Sequence, residues 1–352
     1  MNILYGVPGE GMGHATRSKV IIEHLIEQGH HVHIVSSDRA YKFLANHFGE
    51  KVHEIKGFHI QYKNAKVSKI RTAISTLQTG IPNLLANFKT YLHVKKDFFP
   101  DIIISDFESF TYFFAQQHRL PYISIDNPQV IDRCTLEIPI PSSMKADYTI
   151  AKSIVKAKVP KANHYLISSF FDAPIRKLNT EFIPPIIRKE ILALKPTTSS
   201  HILVYQSSNT AKNLITTLQN VERENFFVYG FNKDESHGNV TLKKFSETEF
   251  IKDLASAKAV IANGGYSFIS EALYLKKPIC SFPIKGQFEQ YVNAAYIEKL
   301  GYGKYISEIT SDNIKSFLYD YEKYISNLKK FSQDGNKITF QKVDKLLLQF
   351  QK

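Results

Sequence analysis

The residues best suited to chemistry fall in two segments far apart in the chain. The first is Gly9-Glu10-Gly11-Met12-Gly13-His14-Ala15-Thr16-Arg17-Ser18, in which a glycine-rich loop ends on a histidine. Glycines at alternate positions let backbone approach a ligand closely. A neutral imidazole takes a proton near pH 7, and a helix N-terminus disfavours its charged form. His14 is therefore a candidate general base. Such a base gains from an orienting carboxylate. Asp106 follows the apolar run Ile102-Ile103-Ile104-Ser105 and so belongs at the same sheet edge as His14. Capping of the next helix is its alternative use, and Glu108 is a nearby substitute. The loop is not a phosphate P-loop, because no Gly-Lys-Ser/Thr follows. A dinucleotide fingerprint competes, with Asp38 where a ribose-binding acid belongs, but it wants Gly where His14 stands.

The second segment is Asn263-Gly264-Gly265-Tyr266-Ser267-Phe268-Ile269-Ser270-Glu271, followed by Pro283 and then Glu289-Gln290. The diglycine stands between an apolar run at 259–262 and a helical stretch at 268–275. A strand, a tight glycine turn and a helix N-terminus present backbone N–H groups and a positive dipole end, which favour phosphate. Glu271, one turn into the helix, is placed to reach a ribose hydroxyl. Glu289-Gln290 opens the next helix and is placed to read a sugar. Together these features predict a nucleotide-sugar site.

The elements that must position these groups alternate. Residues 2–7, 31–35, 101–105 and 121–125 read as buried strands, and 16–28 and 109–118 as helices, which is a parallel doubly wound pattern. Residues 73–99 form an amphipathic stripe that either packs on this core or touches lipid. Pro-rich and Ser/Thr-rich segments at 182–188 and 195–200 read as linker. Strands at 201–205, 226–230, 259–262 and 277–283 then restart the pattern, with helices at 250–256 and 288–300. The expected division is a first domain at 1–175, a linker at 176–200, a second domain at 201–335, and a helix at 336–352 packing back on the first. In open parallel sheets ligands bind beyond the carboxyl ends of strands, so a cleft between two such domains is expected.

At 352 residues with 43% apolar composition the chain is an ordinary globular protein with room for two cores. The formal charge of +12 suits an anionic substrate or membrane surface. The lysines are dispersed, without an arginine-rich helix or zinc-ligand spacing, so nucleic acid is not an expected partner. The denser basic stretches are 63–71 and 145–161. Cys134 and Cys280 lie in unrelated segments and read as buried thiols. His30, His31 and His33 alternate at a strand start without a third ligand, and no metal site is expected. The N-terminal residues lack a signal-peptide pattern, and no apolar run is long enough to span a bilayer. The expected location is cytoplasmic, with the inner face of the cell membrane as an extension of that reading.

These motifs resemble those of GT-B glycosyltransferases, in the branch shared by UDP-glycosyltransferases and the lipid-linked peptidoglycan N-acetylglucosaminyltransferase. More narrowly, the chain resembles a prokaryotic group with Gly-Glu-Gly-Met-Gly-His-Ala-Thr-Arg-Ser near the N-terminus and Asn-Gly-Gly-Tyr-Ser-Phe near the C-terminus. The resemblance implies an α/β GT-B fold, two doubly wound Rossmann-like domains facing a central cleft. It implies that His14 is the base and Asp106 its partner, with Gly11 and Gly13 in the loop at the donor. Gly264, Gly265 and Ser267 match the diphosphate loop, Glu271 the ribose contact, and Glu289 and Gln290 the pair that contacts donor-sugar hydroxyls. Asn293-Ala294 follow as in the family, and Ser207 and Ser208 match the polar loop near the phosphates. Asn263 replaces the usual histidine and leaves a neutral phosphate contact. The chain has no tryptophan, so the base-stacking tryptophan of those enzymes is absent; Phe245 and Phe250 are candidates for the uridine pocket, with core packing favoured for Phe250.

The expected activity is inverting, metal-independent transfer from a UDP-sugar, as co-substrate, to an acceptor hydroxyl. No Asp-x-Asp metal motif stands in a suitable loop, and no cofactor is expected. The basic charge and the 73–99 stripe lean towards a lipid-linked or cell-envelope acceptor. The alternatives are a nucleotide-sugar hydrolase or epimerase of the same fold, a Rossmann dehydrogenase, and a non-catalytic nucleotide-sugar-binding protein.

Overall fold

The structure is a computed structural model that describes residues 1–9, 11–57, 98–206 and 213–351, with Asn87, Thr90 and Val94 between them. The 63–71 basic stretch, most of the 73–99 stripe, Glu10, Ser207 and Ser208 lie outside the described residues. The chain divides into two compact units. The first comprises residues 1–137, 148–186 and 336–352, and the second residues 138–147 and 187–335.

The first unit is built on strands β1 (Asn2–Val7), β2 (His31–Ser36), β3 (Val52–Glu54), β4 (Ile102–Ser105), β5 (Tyr122–Asp126), β6 (His164–Ser168) and β7 (Thr180–Ile183). Among the described residues they form one sheet in the order β3-β2-β1-β4-β5-β6-β7. Every pairing is parallel. Strands covered on both faces need continuous apolar runs rather than alternation. β1 and β4 meet this need, since Ile3, Leu4, Tyr5, Val7 and Ile102–Ile104 are all buried. The order reverses direction between β1 and β4, so the crevice that favours a ligand lies beyond their carboxyl ends.

Two elements differ from expectation. The helix after β1 runs Met12–Glu27 rather than from residue 16, with Gly11 at its N-cap at φ 81°. Glycine takes that φ without the steric cost a side chain meets, so the helix starts four residues early and His14 stands inside its first turn. Residues 180–183, placed in the expected linker, are the edge strand β7, paired with β6. The helix Lys337–Phe350 contributes Val343, Leu346 and Leu347 to the core of the first unit, beside Ile183 and Ile186.

The second unit holds β8 (His201–Tyr205), β9 (Asn225–Tyr229), β10 (Glu235–His237), β11 (Val240–Lys243), β12 (Ala259–Ala262), β13 (Ile279–Ser281) and β14 (Gly303–Tyr305). Their order is β10-β11-β9-β8-β12-β13-β14. Only β10 is antiparallel, folded back on β11 through a turn at Gly238, φ 64°. The reversal falls between β8 and β12, so the favoured crevice here is beyond Tyr205 and Ala262. Cys134 and Cys280 are both buried free thiols. Among the described residues no helix is long and apolar enough to cross a membrane.

Candidate functional site

Both sequence motifs sit where the sheet orders reverse. In the first unit His14 follows β1 and Asp106 follows β4. His14 Nδ1 lies 3.0 Å from Asp106 Oδ1. The Asp106 carboxylate is buried, 1% exposed, and the His14 side chain is 20% exposed. Asp106 does not cap the next helix. Glu108 does, accepting from the Phe110 and Thr111 backbone N–H groups at 2.8 and 2.9 Å at the start of Ser109–His118. The Ser105 hydroxyl closes the same turn by bonding both the N–H and the carbonyl of Glu108. With Glu108 occupied in this way, Asp106 turns to the histidine, and the alternative orienting role for Glu108 is not what the structure shows.

Asp106 has further partners that sequence reasoning missed. Arg17 Nε donates to Oδ2 at 2.7 Å and Arg17 Nη2 to Oδ1 at 2.6 Å, a two-pronged grip. The Ser18 hydroxyl donates to Oδ2 at 3.0 Å. Burial alone would raise the Asp106 carboxyl, but Arg17 and His14 outweigh it and hold it down to about 2. Arg17 and Ser18 share the face of His14 because the helix starts early, at Met12, and they lie three and four positions after His14. Phe107, between Asp106 and Glu108, has φ 63°. A bulky side chain in this left-handed region is strained by about 1–3 kcal/mol. Its ring stacks with His14 at a centroid distance of 6.5 Å, and Lys158 Nζ lies 4.8 Å from its centroid. One strand along, Asp126 is buried and takes a 2.5 Å hydrogen bond from Ser124. Burial first, and the Asp106 charge after it, push its carboxyl up to about 7.

Of the loop glycines, Gly9 packs so closely that a Cβ there would come within 2.3 Å of Ser37 Oγ. Gly11 serves through its φ, and Gly13 lies in the first turn of the helix. Asp38, the acid of the dinucleotide alternative, begins the helix Asp38–Phe48, and its carboxylate faces Gly9.

In the second unit Gly264 has φ 101°, and a Cβ there would stand 2.9 Å from the Gln290 carbonyl. Asn293 Nδ2 donates to the Gly264 carbonyl at 3.0 Å, which fixes the turn. Gly265 is the N-cap of the helix Tyr266–Tyr274 and, as a glycine, brings no side chain of its own to cap it. Ser267 is in its first turn. Asn263 is buried and donates from Nδ2 to the Phe282 carbonyl at 3.3 Å, a tie between the ends of β12 and β13. Glu289 and Gln290 are half-buried in the first turn of Phe288–Lys299. Gln290 Oε1 accepts from Ile284 N–H at 3.0 Å and fastens the loop ahead of the helix.

Glu271 has a partner that the sequence did not show. Arg188 Nε and Nη2 donate to its two oxygens at 2.7 and 3.0 Å, while Arg188 Nη1 reaches Glu247 at 2.6 Å. Burial pushes the Glu271 carboxyl up and the guanidinium opposes it. A fork of this geometry is a strong, charge-assisted contact that fixes the carboxylate in place. Phe245 is 59% exposed, and its ring lies 5.6 Å from that of Phe250. Phe250 is buried among Tyr205, Tyr229 and Phe268, so it is core, as favoured from sequence. The clustered histidines go to separate partners: His33 Nδ1 lies 2.9 Å from His53 Nε2, and His30 meets the N-terminal amine.

The model of the glycosyl transferase family 1 matches residues 1–321. The chain belongs to this family. The glycosyltransferase is 25% identical over 370 aligned residues to a protein of Methanosarcina acetivorans named "Uncharacterized glycosyltransferase", with 94% of each chain covered. It is 29% identical over 107 residues to the UDP-N-acetylglucosamine--N-acetylmuramyl-(pentapeptide) pyrophosphoryl-undecaprenol N-acetylglucosamine transferase 3 of Bacillus cereus, covering 28% of this chain and 30% of that one. In fold it matches Phytolacca americana UGT2 complexed with UDP-2-fluoro-glucose and pterostilbene, with a TM-score of 0.68, 12% identity, and 99% and 100% of the two chains covered. The glycosyltransferase therefore has the GT-B fold, two Rossmann-like parallel-sheet units, as the resemblance of its motifs implied.

Proposed function

We propose that this glycosyltransferase moves a sugar from a UDP-sugar to an acceptor hydroxyl with inversion at the anomeric carbon and without a divalent cation. The observation that carries the reading is the His14–Asp106 pair at the sheet reversal of the first unit. The acceptor oxygen attacks the anomeric carbon as the bond from that carbon to the diphosphate breaks. The acceptor proton passes to His14 Nε2, and Asp106 steadies the imidazolium. In the second unit the Gly264-Gly265 turn and the glycine-capped helix start behind it supply N–H groups and a positive dipole end for the departing diphosphate. These supply the charge that a cation would otherwise bring. Glu289 and Gln290 face the donor sugar, and Glu271 serves the ribose while sharing its carboxylate with Arg188. Phe245 is the exposed ring assigned to the uracil.

The names of two similar proteins support the donor class: one acts with UDP-N-acetylglucosamine and one was crystallised with a UDP-glucose analogue. The first of these also names an undecaprenyl pyrophosphoryl acceptor. The helix Lys145–Lys158, which buries only Val155 and exposes Lys145 and Lys156, fits an anionic lipid-linked acceptor at a membrane surface.

The test is transfer of radiolabelled sugar from UDP-sugars to an acceptor panel that includes polyprenyl-linked glycans. Transfer that persists in EDTA and falls about 10²–10⁴-fold in His14→Ala, with UDP binding kept, is the expected result. Undiminished activity in His14→Ala removes the base assignment. Rapid turnover of UDP-sugar with no acceptor present replaces transfer by hydrolysis.

A further inference from the structure

We infer that Arg17 decides which nitrogen of His14 carries the proton, holding the resting imidazole neutral with its hydrogen on Nε2. The inference rests on the reading of His14 as the base. Arg17 Nη2 stands 2.8 Å from His14 Nδ1 and 2.6 Å from Asp106 Oδ1. A guanidinium nitrogen has two hydrogens and never accepts. One goes to the carboxylate and the other points at Nδ1. His14 Nδ1 is also 3.0 Å from Asp106 Oδ1. A single ring nitrogen cannot accept from Arg17 and donate to Asp106 at once. The contact to Arg17 is the shorter one, and the charge on Asp106 is already matched by the two-pronged grip.

With Nδ1 accepting, the ring hydrogen sits on Nε2, and that atom has no lone pair for an incoming proton. To act as base, His14 must carry its hydrogen on Nδ1 and donate it to Asp106, while the Arg17 N–H is released. Nε2 then takes the acceptor proton and the ring becomes imidazolium. Arg17 is thus a positioning residue that opposes imidazolium formation until the substrates rearrange the pair. Among the described residues, the other ionisable groups around this cluster include Tyr5 on β1, Asp126 on β5, Glu108 at the helix cap and Lys158 across Phe107. None of them comes between Arg17 and Nδ1.

The experiment is long-range nitrogen-15 NMR of the full chain, with His14 assigned by difference against His14→Ala. In the parent protein the Nδ1 shift is expected in the unprotonated range and Nε2 in the protonated range. In Arg17→Gln the hydrogen is expected on Nδ1, because the N–H that points at that nitrogen is gone. A parent protein with its hydrogen on Nδ1, or a Gln variant with the tautomer unchanged, overturns the inference. If Arg17→Gln does not fold, Arg17→Met keeps much of the side-chain length but has no N–H donor, and the same move of the hydrogen to Nδ1 is required of it. The tautomer is read without turnover, so failure here is distinct from failure of the base assignment, which His14→Ala activity decides.

Discussion

Asp126 is a buried carboxyl held at about 7, well above the unfolded aspartate range. The folded state therefore keeps a proton that the unfolded chain gives up near pH 4. Between about pH 4 and 7 the unfolded chain binds fewer protons, so this group makes stability fall as pH rises. Asp126→Asn should flatten that slope relative to the parent protein in urea titrations repeated across the pH range. Asp106 has the opposite sign: held at about 2, it contributes stability that is present above pH 4 and lost as pH falls towards 2. Gly264 combines φ 101° with the Gln290 carbonyl 2.9 Å from where a Cβ would stand. Gly264→Ala should cost about 1–3 kcal/mol of unfolding free energy, and calorimetry should show UDP binding weakened with it. His14, Asp106 and Gly264 were legible because motif spacing marks them. Arg17 and Arg188 were not, because what identifies them is a carboxylate 89 or 83 positions away.

Among the elements, the helix Ser109–His118 shows how a local cap serves a distant site. Glu108 satisfies its first N–H groups, and that leaves Asp106 for His14. Glu108→Ala should destabilise the protein by about 1–2 kcal/mol, measured by chemical denaturation. It should also reduce transfer, because Asp106 and the N-terminal N–H groups of the helix are next to each other. Strands with long apolar runs, such as β1 and β4, were readable from pattern alone. β7 was hidden because its four residues border Pro184-Pro185 and carry no alternation; pairing with β6 is what makes them a strand. The early start of Met12–Glu27 was hidden for a related reason. Gly13 in its first turn lowers helix propensity, and tertiary packing overrides such a weak preference.

For the whole molecule, the last helix belongs to the unit where the chain began. Leu346 and Leu347, 5% and 2% exposed, sit in the first unit's core. Replacing either by alanine should cost about 2–5 kcal/mol, seen as a lower unfolding midpoint. UDP-sugars should raise that midpoint by mass action, adding about 2.7 kcal/mol of unfolding free energy at a hundredfold excess over Kd. A response only to another nucleotide would overturn the donor class. From its sequence alone the chain determined two parallel-sheet units, the order of its motifs and the loops that bear them, since periodicity and glycine spacing are local properties. Tertiary structure alone decided what those groups touch. Strand order brings the ends of β1 and β4 together, and burial then forces each charge there to find a partner. That is why Asp106 meets Arg17 as well as His14, and why Glu271 meets Arg188.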